Sequence, residues 1–142
     1  WEKFKVRLRN KPVIVFLCVE NSCRSQIAEA FGRAFFADQY EVASAGSEPS
    51  GSVNATAIEL MQELGYDMTC HRSKGVDELE TKEILALITL GCGDACPKIA
   101  AKQRLDWQIP DPKTMSRCDF RAVINLIKKQ VLGLVNELSS PT

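Results

Sequence analysis

The sequence has no hydrophobic run approaching the ~20 residues that a membrane-spanning helix needs; its longest, Ile84 to Leu90, has the length of a strand. It has no excess of charge of either sign, since 18 Lys and Arg balance 18 Asp and Glu. That balance argues against a nucleic-acid surface or an acidic tail, yet it permits a local positive pocket. It has no internal repeat and no low-complexity segment. The basic stretch Trp1 to Lys11 contains no apolar core of signal-peptide type, so a cytoplasmic location is expected. The chain starts at Trp1 and not Met, which predicts a longer natural N-terminus. Cysteine is too sparse for a disulfide scaffold: six in 142 residues against the ~8–10% of such chains. Clustered cysteines in a chain without a leader point instead to catalysis or metal binding.

A chain of 142 residues suits one domain with its own core. Residues 1–11 read as a flexible N-terminal extension and 12–142 as a single catalytic domain. Pro12 to Leu17 is a β-branched apolar run of the kind found in strands buried on both faces. A helical stripe follows at Ile27, Ala30, Phe31, Ala34 and Phe35. Val42 to Ala45 reads as a second strand. A second helix carries Val53, Ala57, Leu60, Met61 and Leu64 on one face and stops at Gly65. Ile84 to Leu90 is a third strand. A short helix is expected from Pro97 towards Lys102, and an edge strand at Leu105 to Gln108. The last helix should start at Ser116 as N-cap and bury Phe120, Val123, Ile124, Ile127, Val131, Leu134, Val135 and Leu138. This alternation predicts an α/β domain: a four-stranded parallel sheet flanked by helices in a three-layer, flavodoxin-like sandwich. Ligands of such sheets bind at the carboxyl ends of the strands, at the topological switch point. Cys18 follows the first strand and Cys92 follows the third.

Cys18-Val-Glu-Asn-Ser-Cys-Arg24 lies between a buried strand and a helix. In such a loop, successive backbone N–H groups from Val19 to Ser25 can curl around a tetrahedral oxyanion, aided by the helix N-terminus. Arg24 can hold two oxygens bidentately. The same field favours a thiolate at Cys18, to which Ser25 can donate a hydrogen bond. Asn21 suits a left-handed turn. The bland alternative is a structural cysteine followed by an arginine at a helix start.

The string Cys18 to Glu29 resembles the active-site signature of the low-molecular-weight tyrosine phosphatase superfamily. Its Asn-Ser-Cys-Arg-Ser-Gln core is more similar to the thioredoxin-coupled arsenate reductase branch. Ser44-Ala-Gly46, Ala57 to Gly65, His71-Arg-Ser-Lys74, Gly91 to Pro97 and Pro110-Asp-Pro112 match that branch in order, so the resemblance covers about Pro12 to Leu138. It implies that Cys18 attacks the oxyanion held by Arg24 and by the loop Val19, Glu20, Asn21, Ser22, Cys23 and Ser25. It also implies that Asp111, of an Asp-Pro pair that would otherwise read as turn chemistry, protonates the leaving oxygen. Asp94 and Asp106 are the rival acids.

Cys92 and Cys96 separate the two branches. A phosphatase needs one cysteine, whereas reducing arsenate needs two electrons and a second sulfur. The resemblance implies a relay: Cys92 attacks Cys18 in the arsenic adduct, arsenite leaves, and Cys96 passes the disulfide on to thioredoxin. It further implies a potassium ion held by Asn21, Glu29, Ser44 and Asp67, no tightly bound cofactor, and a monomer that detoxifies arsenate without nucleic-acid or membrane partners. Glu20, in place of a small glycine, and Lys113-Thr114, in place of tyrosines, depart from the phosphatase pattern. The alternatives are a tyrosine phosphatase using Cys18, Arg24 and Asp111, and a zinc-binding or redox-sensing module built on Cys92, Cys96, Cys70 and His71. Cys23 is expected to pack beneath the loop, Cys118 to pack on the last helix, and His71, the one histidine, to make structural hydrogen bonds. Cys70 has no assigned role outside the zinc alternative.

Overall fold

The structure, a computed structural model, describes residues 11–36, 39–79, 83–91 and 99–139. Strands β1 (Val13–Cys18), β2 (Glu41–Gly46), β3 (Ile84–Leu90) and β4 (Ala101–Trp107) form one sheet in the order β2-β1-β3-β4, with every pairing parallel. Helices α1 (Arg24–Phe36), α2 (Ala55–Glu63) and α3 (Arg117–Ser139) and a 3₁₀ turn at Val76–Leu79 complete the described elements. The result is the expected open α/β sandwich.

β1 is central and buried along its whole length. Its side chains alternate between two cores, as strand geometry requires. Ile14, Phe16 and Cys18 face the larger core with Ile27, Phe31, Leu60, Met61, Phe120, Ile124, Ile127 and Val131 from the three helices. Val13, Val15 and Leu17 face a smaller core whose described cover is Leu79 and Val76 of the 3₁₀ turn together with Ile99. Each fully buried side chain of this kind contributes about 1.5–3 kcal/mol of transfer free energy.

The caps follow local chemistry. The Asn54 side chain accepts from Ala57 N at the start of α2, and Gly65, at φ 93°, ends it. Ser116 Oγ accepts from Asp119 N at the start of α3, as expected. Two residues on the expected stripes are exposed, Ala34 and Leu64; the latter is 52% accessible.

The expected helix from Pro97 to Lys102 is corrected in part: Ala101 and Lys102 belong to β4, while Pro97 lies outside the described residues. β4 starts four residues earlier than expected because its pattern alternates. Ala101, Gln103, Leu105 and Trp107 are half-buried, and Lys102, Arg104 and Asp106 are exposed, as on an edge strand. Cys118 is also a correction, since it is exposed and not packed: the buried stripe of α3 begins at Phe120, two residues on.

The chain runs from β1 out to β2, then crosses back to β3 on the other side of β1. The switch point therefore lies at the carboxyl end of β1, where Cys18 ends the strand.

Candidate active site

Between β1 and α1 the backbone turns through Asn21, which adopts φ 52°, the left-handed conformation that asparagine tolerates better than most residues. The carbonyls of this loop are tied from outside. Ser47 N donates to Cys18 O (3.2 Å), Glu48 N to Val19 O (2.8 Å), Ser50 N to Glu20 O (3.0 Å) and Asn54 N to Ser22 O (2.9 Å). Ser73 Oγ adds a second bond to Glu20 O at 3.0 Å. Carbonyls engaged outward leave the loop N–H groups free for an anion, assisted by the N-terminus of α1.

The loop lies directly on Gly46 at the end of β2. A Cβ there would come within 2.5 Å of Val19 O and 2.8 Å of Asn21 N, both backbone atoms. Gly46→Ala is therefore expected to displace the loop and weaken inhibition by inorganic phosphate at least about tenfold, measured by competition against arsenate.

A directional chain of hydrogen bonds ends on Cys18. Gln26 Nε2 donates to Asn21 Oδ1 (2.9 Å) and to Arg72 O (2.8 Å), so Gln26 Oε1 accepts from His71 Nδ1 (2.9 Å). Burial holds the His71 imidazole below its usual range despite the opposing pull of Glu29, so it stays neutral with its proton on Nδ1. Asn21 Nδ2 donates to Ser25 Oγ at 2.7 Å. Ser25 Oγ lies 2.8 Å from Cys18 Sγ, and its hydroxyl hydrogen is free to point at a thiolate there. With the Ser25 hydrogen on the sulfur, His71, Gln26, Asn21 and Ser25 donate in sequence towards Cys18, which is the polarity a thiolate requires. His71 thus has the structural hydrogen-bonding role expected of it.

Cys18 opens into a cavity of about 220 Å³ lined also by Glu20, Ser22, Cys23, Arg24 and Asp111. Arg24 Nη1 donates to Ile109 O (3.1 Å), and its Nη2 lies 3.9 Å from Asp111 Oδ2. The Asp111 carboxylate is half exposed at the cavity mouth and accepts from Lys113 N at 3.1 Å, a turn that Pro112, which is buried, helps to shape. Lys113 Nζ reaches both oxygens of Glu20, at 3.1 and 3.0 Å, joining the Asp111 loop to the anion loop. This exposed pair contributes little to stability, but it offsets the one acid in the loop that would repel an anion. The rival acid Asp106 is engaged at the sheet edge by Thr89 Oγ1 and Gln108 Nε2; Asp94 lies outside the described residues.

Cys23 belongs to the larger core, 4% exposed, while also bordering the cavity. Burial pushes its thiol up to about 11. At pH 7.5 roughly one molecule in 10³ or fewer would carry the Cys23 thiolate. Iodoacetamide at that pH is expected to label Cys18 and spare Cys23, with Cys23 labelling rising only as the pH nears 11. Peptide mass mapping across that range checks this.

Cys92 and Cys96 lie outside the described residues. Gly91, the residue before that segment, sits at φ 83°, and a Cβ there would fall 2.7 Å from Arg24 Nη1. The carboxyl end of β3 therefore lies beside the Arg24 guanidinium. Of the proposed zinc ligands, Cys70 is exposed and free and His71 is committed to Gln26. Among the described residues no group of three or more His, Cys, Asp or Glu could hold a metal.

Of the four residues implied for potassium, one pair is in direct contact, and the side-chain oxygens of the other two have partners outside the set. Glu29 and Ser44 meet, with Ser44 Oγ donating to Glu29 Oε1 at 2.7 Å. Asp67 is exposed and its carboxylate is taken by Thr69 N and Thr69 Oγ1. The side-chain oxygen of Asn21 is taken by Gln26 and by Lys74 N. The Lys74 ammonium lies 3.4 Å from Glu29 Oε1 and 3.3 Å from Ser44 Oγ, so a cation is already present and a potassium ion does not fit beside it. In the sequence Lys74 appeared only as the end of the matching string His71-Arg-Ser-Lys74, with no role, because a lone lysine in a polar stretch carries no signal of its own.

Comparison with known proteins agrees with this geometry. Residues 13–141 match the family model described as low molecular weight phosphotyrosine protein phosphatase. The chain is 38% identical over 132 residues to an arsenate reductase of Halalkalibacterium halodurans, covering 86% of this chain and 94% of that one. It is 36% identical to the glutaredoxin arsenate reductase of a Synechocystis species, over 89% of this chain and 98% of the relative. Among solved structures, an arsenate reductase in the phosphate-binding state superposes with a TM-score of 0.82 at 34% identity, over 90% of this chain and 99% of that one. A thioredoxin-dependent arsenate reductase of Corynebacterium glutamicum gives 0.75 at 28% identity, over 96% of this chain and 67% of that one. Among the described residues no helix is long and apolar enough to cross a membrane.

Proposed function

This chain belongs to the low molecular weight phosphotyrosine protein phosphatase family, and on that premise we propose how it acts as an arsenate reductase. It reduces arsenate to arsenite. The observation that carries the reading is the anion loop whose donor chain ends on Cys18 Sγ, with Arg24 and Asp111 on the same cavity.

Arsenate binds with its oxygens on the loop N–H groups and on the Arg24 guanidinium. The Cys18 thiolate attacks arsenic, Asp111 gives a proton to the departing oxygen, and water leaves a Cys18–arsenic(V) adduct. The Cys92 thiolate then attacks Cys18 Sγ. The sulfur–sulfur bond forms, the sulfur–arsenic bond breaks, and its electron pair stays on arsenic, which leaves as arsenite. Two thiols are oxidised and arsenic gains two electrons. Cys96 attacks Cys92 in turn, freeing Cys18 and leaving a Cys92–Cys96 disulfide. A small external dithiol protein of the thioredoxin or glutaredoxin type reduces it; thioredoxin suits a pair of cysteines four residues apart in sequence. No resident metal or cofactor enters the scheme, because the electrons come from sulfur. The reading takes residues 12–142 as one catalytic domain acting as a cytoplasmic monomer.

The test is arsenate-dependent NADPH consumption with thioredoxin and thioredoxin reductase, for wild type, Cys92→Ser and Cys96→Ser. Turnover is expected in wild type and in neither variant. Aryl phosphate hydrolysis surviving both substitutions, with no arsenate turnover in wild type, would leave a phosphatase instead.

A further inference from the structure

We propose that Lys74 is a built-in cation that positions the anion loop, doing from within the chain what a free monovalent ion would otherwise do. Glu29 lies in α1 and is 1% exposed. A buried carboxylate needs a counter-charge and hydrogen bonds. Its neighbours are Lys74 Nζ at 3.4 Å, Arg33 Nη2 at 3.4 Å, the neutral His71 at 3.5 Å and the Ser44 hydroxyl. Arg33 is 59% exposed, whereas the Lys74 side chain is 15% exposed, so Lys74 is the cation that shares the buried site.

An ammonium has three donors, and Lys74 Nζ has three oxygens: Arg72 O at 3.0 Å, Ser44 Oγ at 3.3 Å and Glu29 Oε1 at 3.4 Å. The three come from α1, β2 and the polar segment before the 3₁₀ turn, so the ammonium holds separate elements in register as a coordinated ion does. The backbone of the same residue completes the connection. Lys74 N donates to Asn21 Oδ1 at 2.7 Å, and Lys74 O accepts from Gly46 N at 2.8 Å. Asn21 in turn holds Ser25, which faces Cys18. Fixing the Lys74 side chain therefore fixes the peptide that orients Asn21, and through it the hydroxyl aimed at the sulfur. Lys74 is a positioning residue, acting on Cys18 through Asn21 and Ser25.

This inference rests on Cys18 being the attacking thiol. Its test reads alkylation of that thiol in the absence of arsenate, so its failure is distinguishable from failure of the reductase reading. The rate of Cys18 modification by iodoacetamide is measured by mass spectrometry on the full chain, in potassium chloride, ammonium chloride or choline chloride at equal ionic strength. Wild type is expected to react at the same rate in all three. A wild-type rate that rises severalfold with potassium would overturn the proposal without any variant. Lys74→Ser is expected to lose about tenfold in choline and to recover in potassium or ammonium. An unchanged rate in Lys74→Ser, or a loss that neither small cation reverses, would also overturn it. The double variant Glu29→Gln with Lys74→Met removes both charges at similar volume; it is expected to be insensitive to the cation, and a potassium-dependent rate in it would contradict the proposal.

Discussion

Cys18→Ser is expected to abolish arsenate turnover, with kcat falling at least about 10³-fold, to the limit of detection. Serine keeps the size and the hydrogen bond to Ser25, so the loop should still bind a tetrahedral anion. A hydroxyl, however, cannot supply the electrons of a sulfur–arsenic adduct. The separating measurement is inorganic phosphate binding by calorimetry beside the turnover assay. Retained binding with lost turnover is expected. Loss of both would mean that the variant had collapsed the loop, and full turnover would remove Cys18 from the chemistry.

Arg24→Lys is expected to lower kcat/KM for arsenate by about 10²–10³-fold. The guanidinium does two things that an ammonium cannot do together: it holds the Ile109 carbonyl at 3.1 Å and presents a second nitrogen towards Asp111 and the cavity. A lysine can satisfy the carbonyl or the anion, and it forfeits planar bidentate contact in either case. The fold should persist, because the charge is kept and Arg24 opens the helix and lies outside its interior. Circular dichroism and the steady-state constants measured together check this. A variant with wild-type kcat/KM would contradict the placing of Arg24 on the oxyanion.

The parts of the site that were readable in the sequence are contiguous in it. Cys18 to Ser25 lie on one loop between a strand and a helix whose patterns are unambiguous, so backbone chemistry at that junction followed from spacing alone. The parts that were not readable come from far along the chain. The clamp on the loop carbonyls comes from Ser47, Glu48, Ser50 and Asn54, through backbone N–H groups that any residue but proline supplies. Gly46 entered only as the end of the matching string Ser44-Ala-Gly46, yet it matters through the atoms lying on it, 2.5 Å from where its Cβ would be. Asp67 matched a motif position, but its carboxylate is satisfied locally by Thr69, while Lys74 reaches Glu29 from 45 residues away. β4 was read too short because an edge strand carries charge on its exposed face, and Lys102 and Arg104 obscured the period of two. Cys118 was expected to pack because it opens an amphipathic helix, but the apolar stripe starts two residues later.

The most direct test of the relay counts arsenite released by reduced protein mixed with arsenate and no external reductant. Cys96→Ser should release one equivalent and stop with a Cys18–Cys92 disulfide identifiable by peptide mapping, while Cys92→Ser should release none. Stoichiometric arsenite from Cys92→Ser, or none from Cys96→Ser, would contradict the order of the three sulfurs on which the account rests.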